Sequence, residues 1–406
     1  MNNTHWFILG RESKLSAAEI AAVLNLPLFK YNHEKILKVT NQKINAEMVN
    51  NLGGTIKIAE ELGKDLSLED VKEKIIENLK DNAGKTVFGL SFFNTDNKKI
   101  GIEIKKELKK LGKSIRYVEP KSLSAGKQEK QLNAAQIIGN KIIQKGGDFL
   151  IEYPINNRER RYNLAKTLSV QNVNEWSKKD FDRPGSDSFS GMLPPKLAMT
   201  MLNLSGAKKT DVILDAFCGS GTVITEALFM GYKNLIGSDL SDKAITDTEK
   251  NVEWIKEQCQ TKQITTCHSE LAEESLNIKI FQADATTLTE KLDSNSVDAI
   301  ISEPFLGKPL SGQENKGFLL KQVDELKSLY GSAFENFKEI LKPGGTVVFV
   351  VPKFKHKDSW IVVNILPKLK ELGFEIEPML EKENHIVYCR PNQRVAREIF
   401  KFKLKK

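Results

Sequence analysis

Apolar positions along the chain follow two periods that alternate. "THWFILG" is a short apolar run of strand type, and "RESKLSAAEIAAVLN" then sets Leu15, Ala18, Ile20, Val23 and Leu24 at helical spacing. "KILKVT" predicts a second strand. "VKEKIIENLKDNAGKTVFGLSFF" predicts a helix that Asn82, Ala83 and Gly84 break before a further strand. "IGIEIKKELKKLGKSIRYVEP" and "NAAQIIGNKIIQKGGDFLIEYPI" repeat helix then strand, with Lys105, Lys106, Lys109 and Lys110 on the polar side of the first helix. Short strands alternating with helices predict small α/β or α+β modules here, not one large sheet.

The pattern changes after "WSKKDFDRPGSDSFSGMLPPKL", a stretch rich in Ser, Gly, Pro and charge that predicts an interdomain linker. Beyond it, helix "PPKLAMTMLNLS" leads into strand "VILDAF", helix "TVITEALFMG", strand "NLIGSDL", helix "SDKAITDTEKNVEWIKEQ" and strands "IKIFQADA" and "VDAIIS". A helix over 318–341, strand "GTVVFVV", a helix over 359–372 and strands "FEIEPML" and "NHIVYCRP" follow. This regular alternation predicts an α/β fold, a doubly wound and mostly parallel sheet ending in an antiparallel pair. Residues 259–277, "CQTKQITTCHSELAEESLN", are polar and patternless and predict a loop insertion.

A chain of 406 residues has room for two or three domains, each with its own core. With 40% apolar and 28% charged residues it has globular composition, and no apolar run reaches the length of a membrane span. "MNNTHWFILG" lacks the basic and long apolar regions of a signal peptide, so a cytoplasmic protein without membrane partners is expected. Cys218, Cys259, Cys267 and Cys389 lack the close spacing of zinc or redox motifs; structural thiols and no metal are expected. The net charge of +8 is unevenly held: residues 1–187 carry 32 Lys/Arg against 24 Asp/Glu, whereas the remainder carries 29 of each. Such asymmetry fits an N-terminal half that meets a polyanion, or a lysine-rich solvated surface.

Chemistry concentrates in the second half. Asp215 ends an apolar strand, and Phe217, Cys218, Gly219, Ser220 and Gly221 make a glycine turn before a helix. Glycines there let backbone come close to a ligand. Asp239 ends the next strand, where carboxylates hold ribose hydroxyls in such sheets, and Asp284 with Ala285 follows the one after. Each acid could alternatively cap a helix or start a turn. A pyrophosphate fingerprint wants a third Gly or Ala where Ile224 stands, so a nucleoside cofactor without phosphates suits the site better than a dinucleotide.

"DAFCGSGT" resembles the first motif of class I S-adenosylmethionine methyltransferases, in the variant of RNA and DNA amino methyltransferases. The resemblance implies a Rossmann-like domain with S-adenosylmethionine as cofactor. It sets the backbone of 218–221 against the amino-acid part, Asp239 on the ribose, and Asp284 and Ala285 at the adenine. The superfamily's fourth strand ends in Asp or Asn, Pro, Pro and an aromatic residue; Ser302, Glu303, Pro304 and Phe305 occupy that place. An aromatic amine is a poor nucleophile, and acceptors beside its N–H groups take up the charge that develops as it is methylated. The ring at Phe305 would stack on a flipped base. Here Ser302 replaces the acid or amide and Glu303 the first proline, and the Glu303 carboxylate matches the adjacent N1–H and N2–H donors of guanine.

Resemblance covers nearly the whole chain. "WFILGRESKLSAAEI", "RRYNLAKTLSVQNVNEWSKKDFDRPGSDSFSGMLPPKLA" and "YCRPNQRVAREIF" resemble segments of the THUMP-containing tRNA guanosine-N2 methyltransferases that act at position ten. This implies a ferredoxin-like domain over 1–75, an RNA-binding THUMP domain over 76–176, a linker over 177–195 and the methyltransferase over 196–406. Arg158, Arg160, Arg161, Lys178 and Lys179 are then the expected phosphate contacts to tRNA. Arg390, Arg394 and Arg397 either join them or pair with the domain's own Glu residues. The expected activity is methylation of a guanosine N2 in tRNA, with a helper subunit and the oligomeric state left open. The rivals are an amino methyltransferase for adenine or cytosine, and a silent tRNA-binding protein.

Overall fold

The computed structural model describes residues 3–32, 34–121, 130–154, 161–185, 192–267 and 276–405. It divides into two compact units: Met1–Arg11, Glu34–Asn50 and Thr55–Asn174 form the first, and Glu12–His33, Asn51–Gly54 and Glu175–Lys406 the second. The helix between the first two strands, α1 (Ser13–Leu24), thus belongs to the second unit.

In the first unit β1 (Thr4–Leu9), β2 (Ile36–Thr40), β3 (Thr55–Leu66), β4 (Thr86–Phe93), β5 (Ile115–Val118), β6 (Gly146–Glu152) and β7 (Tyr162–Val170) make one sheet. Its order is β2-β1-β3-β7-β6-β4-β5. Pairing is antiparallel except along β6, β4 and β5. Strands from the expected 1–75 and 76–176 domains therefore share one sheet through the β3–β7 pair.

Helices α2 (Leu68–Lys80) and α3 (Lys98–Lys110) bury Val71, Ile75, Leu79, Ile100, Ile104 and Leu108 with Phe88, Phe149 and Leu164 of the sheet. α2 starts in a reciprocal cap, in which the Asp70 N–H donates to the Ser67 hydroxyl and the Ser67 N–H to the Asp70 carboxylate. The next helical stretch is broken at Lys141 (φ 52°) into α4 (Ala134–Gly139) and α5 (Ile142–Lys145).

β3 does not stand out in the apolar pattern, because it buries a lysine. Lys57 Nζ donates to Asp148 Oδ2 at 2.7 Å, and Ser91 and Thr167 donate to the same carboxylate at 2.9 Å each. A charge is tolerated in a sheet core only when paired and hydrogen-bonded in this way.

The second unit holds α6 (Val173–Phe181), which begins in the first, and α7 (Pro195–Ser205), α8 (Thr222–Phe229), α9 (Asp242–Gln260), α10 (Lys316–Ile340) and α11 (Leu366–Glu371). Its strands are β8 (Val212–Asp215), β9 (Asn234–Asp239), β10 (Asn277–Gln282), β11 (Val297–Ser302), β12 (Leu341–His356), β13 (Ser359–Val362), β14 (Phe374–Ile376), β15 (His385–Tyr388) and β16 (Val395–Leu404). The order is β10-β9-β8-β11-β12-β16-β14, parallel from β10 to β12 and antiparallel beyond, with β13 on β12 and β15 on β16. The doubly wound sheet expected from the sequence is present.

One element differs from the pattern: 359–362 is a strand returning along β12, and helix begins only at Leu366. The helical reading of 359–372 fails because Trp360 and Val362 flank a residue that points to the core. Among the described residues no helix is long and apolar enough to cross a membrane.

α1 is fixed within its unit by Glu19, which is fully buried. Its carboxylate accepts from the Gly53 and Gly54 N–H groups and from Asn203 Nδ2 of α7, each at 2.8 Å. On the sheet's other side Phe334 meets Phe337, Phe349, Phe374 and Phe402 at 5.1–5.7 Å between centroids. These rings seat α10 beneath β12. Cys259 and Cys267, expected as thiols, form a disulfide with Cα atoms 5.7 Å apart. Their separation of eight residues matches no metal or redox spacing, and only the fold brings the pair together. Of the expected 259–277 insertion, 268–275 lie outside the described residues, and β10 already starts at Asn277.

Candidate active site

The strand order reverses between β8 and β11, where parallel sheets open a crevice at their carboxyl ends. Asp215 and Ser302 end these two strands and are joined there. The Ser302 hydroxyl donates to Asp215 Oδ1 at 2.7 Å and accepts from the Ala216 N–H at 3.0 Å. Phe217 N–H also donates to Oδ1. Both side chains are buried, Ser302 completely. Desolvation pushes the Asp215 carboxyl up to about 7, with further upward pressure from the charges of Asp239 and Glu303.

After β8 the chain makes the glycine turn. Gly221 N–H donates to the Cys218 carbonyl at 2.7 Å, with Gly219 at φ +52° and Gly221 at φ +78°. The two glycines serve different ends. A Cβ at Gly221 would strike the Thr248 side chain at 2.7 Å, whereas around Gly219 no atom lies within 4 Å of that position. Gly221 packs the turn against α9, and Gly219 presents bare backbone to open space.

Thr248 donates to the Gly219 carbonyl at 2.8 Å, and Asn251 Nδ2 donates to the carbonyls of Ser220 and Gly185. Arg183 Nη1 donates to the Thr222 hydroxyl at 2.7 Å. Thr248, Asn251 and Arg183 escaped the sequence reading; only a tertiary contact distinguishes them from ordinary polar residues.

Asp239 accepts from Gly219 N–H and Ser241 N–H, each at 2.9 Å, so the acid and the turn hold one another. The exposed Leu240 follows it. Asp284 Oδ1 takes both the N–H and the hydroxyl of Thr286 at 2.8 Å, while Oδ2 accepts nothing from the described residues. Ala285 is buried, and Phe217 is half-buried against Phe349.

At the corner after β11 the adjacent Ser302 and Glu303 meet different surroundings. Ser302 faces into the sheet, fully buried, with its hydroxyl engaged by both Asp215 and the Ala216 N–H. Glu303 is the first side chain on the opposite side, and Pro304 follows it. Glu303 is thus the first carboxylate beyond the strand end, directly before Pro304 and Phe305. Glu303 is gripped by both the Nε and Nη2 of Arg397. The Glu303 and Arg397 side chains are 9% and 12% exposed. Burial pushes the Glu303 carboxyl up and the Arg397 guanidinium opposes that rise. Of the three C-terminal arginines, Arg397 is therefore the one that pairs with a Glu; Arg390 and Arg394 form no ion pair with a described carboxylate.

α10 supports the corner from below. Tyr330 donates its hydroxyl to the Phe305 carbonyl at 2.6 Å, and Gln322 Oε1 accepts from Lys308 N–H at 2.9 Å. Phe305 itself is 54% exposed, a ring standing in water at the crevice.

The expected RNA contacts fare differently. Lys179 is buried, its ammonium 2.6 Å from Glu226 and over the rings of Phe229 and Trp176. It cannot reach a phosphate without stranding Glu226, and is structural. Lys178 is half-buried and donates to Gln263. Arg161 is half-buried. Arg158 and Arg160 lie outside the described residues.

A sheet of this order with a glycine turn after its first strand, an acid on the second and an acid–proline corner on the fourth defines a class I methyltransferase. A family model described as an RMKL-like methyltransferase domain matches residues 186–362. A DNA methylase model matches residues 28–250, a span that stops short of Glu303. A probable tRNA (guanine(10)-N2)-dimethyltransferase of Methanothermococcus thermolithotrophicus is 34% identical over 155 residues, 38% of this chain and 78% of the relative. The tRNA (guanine(10)-N2)-dimethyltransferase of Methanothermobacter thermautotrophicus is 30% identical over 205 residues, half of each chain. The crystal structure of TrmN from Thermus thermophilus aligns over all of both chains at 16% identity with a TM-score of 0.49. The chain belongs to the tRNA guanine-N2 methyltransferase family.

Proposed function

We propose that the protein methylates the exocyclic N2 of a guanosine in tRNA, at the position ten named for its relatives, with S-adenosylmethionine as donor. The observation that carries the reading is the pairing, at adjacent strand ends, of an open-backed glycine turn with the Glu303–Pro304–Phe305 corner. The cofactor fits this crevice: bare backbone at Gly219 faces open space, and Asp239 and Asp284 keep acceptor oxygens beside it. Asp239 would hold the ribose, Asp284 Oδ2 the adenine amine, Leu240 an apolar face of the base, and the 218–221 backbone the amino-acid end. When bound, the cofactor supplies an electrophilic methyl group.

The chain's own residues prepare the amine. Glu303 accepts from guanine N–H donors through the lone pairs Arg397 leaves free, and Arg397 opposes the upward push of burial on its carboxyl and fixes its direction. Phe305 stacks on the flipped base. A backbone carbonyl of the corner supplies the second acceptor; that of Phe305 is already engaged by Tyr330. Acceptors fixed before reaction stabilise the charge that grows on nitrogen. The basic N-terminal half, read as ferredoxin-like and THUMP domains over 1–75 and 76–176, supplies the long-range grip on tRNA, with Arg158, Arg160 and Arg161 among its phosphate contacts and Lys178 just beyond it as a further one.

The match to a DNA methylase model favours one alternative, transfer to the amine of adenine or cytosine. One experiment separates the two: incubate the protein with unmodified tRNA and labelled cofactor, digest, identify the nucleoside and map it. N2-methylguanosine, lost in Glu303→Gln while cofactor still binds, supports the proposal. N6-methyladenine or N4-methylcytosine would transfer support to the alternative. No labelled N2-methylguanosine while tRNA and cofactor both bind would refute it.

A further inference from the structure

The longest strand of the second unit, β12, continues past the sheet and returns as β13. Lys353 pairs with Val362, Phe354 with Ile361, Lys355 with Trp360 and His356 with Ser359. Lys357, at φ +53°, turns the chain between them. Strand alternation gives this hairpin two unlike faces. Phe354 is fully buried and Ile361 packs with it against the aromatic core. Lys353, Lys355, Trp360 and Val362 fall on the other face, where Trp360 is 39% and Val362 50% exposed. Lys353 Nζ lies 5.5 Å from the Trp360 ring.

The surroundings are cationic. Lys355 and Lys357 are exposed, and Lys355 N–H donates to the Arg394 carbonyl at 2.8 Å. The Arg394 guanidinium lies against Gly312, in the loop that follows the reactive corner. Of the nearby acids, Glu398 is taken by Lys353 and His385 and Glu314 accepts from Ser311 and Gly312, while Asp358 lies on the hairpin turn. The hairpin also adjoins the chemistry: Pro352 pairs with Arg397, the residue that holds Glu303. An exposed indole with Lys353 near its ring and Lys355 paired across the hairpin matches one kind of partner, a polyanion that carries planar bases.

We propose that this hairpin face binds substrate RNA next to the target nucleotide, with Trp360 stacked on an unpaired base and Lys355, Lys357 and Arg394 on phosphates. The inference rests on the reading of the crevice as an RNA methyltransferase site. The test uses the full-length chain with tRNA. Trp6 and Trp176 are buried and Trp254 is half-buried, so quenching of indole fluorescence by tRNA reports mainly on Trp360.

Trp360→Phe should lose most of the quench, and Trp360→Ala should weaken tRNA binding roughly tenfold or more. Lys355→Gln with Lys357→Gln should flatten the dependence of log affinity on log salt by about 1 to 2. S-adenosylhomocysteine binding should be unchanged in all variants, which establishes that they are folded. Unaltered tRNA affinity in Trp360→Ala overturns the inference, as does an equal Trp360 quench by heparin, which has no bases. Trp360→Ala that shifts only self-association marks a protein interface and also overturns it. Trp360-dependent tRNA binding without methylation supports the hairpin while refuting the proposed reaction.

Discussion

Asp215 gives the sharpest test of how the crevice is wired. Its carboxyl is moved from an ordinary 3.8 to about 7, chiefly by burial. At about 1.4 kcal/mol per pKa unit, the folded state prefers the protonated acid by about 4 kcal/mol at most. The sign follows from which state holds the proton. Between pH 4 and 7 the unfolded chain has released it and the folded chain has not, so stability falls as pH rises through that window and stays low above it.

Asp215→Asn removes the titration while keeping an oxygen to accept from Ser302 and Phe217, and its amide stands in for the protonated carboxyl. The variant should match the parent near pH 4 and exceed it by about 1 to 4 kcal/mol at pH 8. For a unit of this size that is a rise of about 2–4 °C in melting temperature per kcal/mol. Melts of both proteins across pH 4 to 8, without cofactor, check it. A gain that does not vary with pH, or a variant less stable than the parent at pH 8, would refute the assignment of burial as the cause.

Two further outcomes follow from the same crevice. Gly219→Ala meets no clash but adopts a left-handed backbone at a cost of about 1–2 kcal/mol; it should fold, yet bind S-adenosylhomocysteine at least about tenfold more weakly by calorimetry. Unchanged affinity would show that nothing docks on that turn. Arg397→Met leaves the Glu303 carboxylate buried without its cation and should cost about 3–5 kcal/mol at pH 8 in urea unfolding. The loss should shrink as pH falls through the raised pKa of Glu303, because the protonated acid no longer needs a partner. A deficit equal at pH 5 and pH 8 would mean that packing, not charge, is what Arg397 contributes.

The doubly wound sheet was legible because its strands are nearly continuous apolar runs, such as "VILDAF" and "GTVVFVV", bounded by glycine turns. Asp215, Asp239 and Asp284 were legible because each follows such a run directly, and strand ends in a parallel sheet share one edge. In the N-terminal half β3 was hidden by Lys57, whose partner Asp148 lies 91 residues away. The hairpin at 359–362 was hidden too, since four residues that alternate toward and away from the core are too few to distinguish from a helix start.

The sequence by itself determined which residue types stand at which strand end, where the charge lies, and so the class of chemistry. Only the tertiary structure decided which way each residue faces. Ser302 and Glu303 are neighbours, yet one is sealed against Asp215 and the other turns to Arg397, because successive side chains of a strand point to opposite sides. Lys178 and Lys179 are likewise neighbours, and only the second finds Glu226 and two rings to bury it. Composition fixes the supply of charge and apolar surface, but the free energy of each group depends on partners that folding brings from far along the chain.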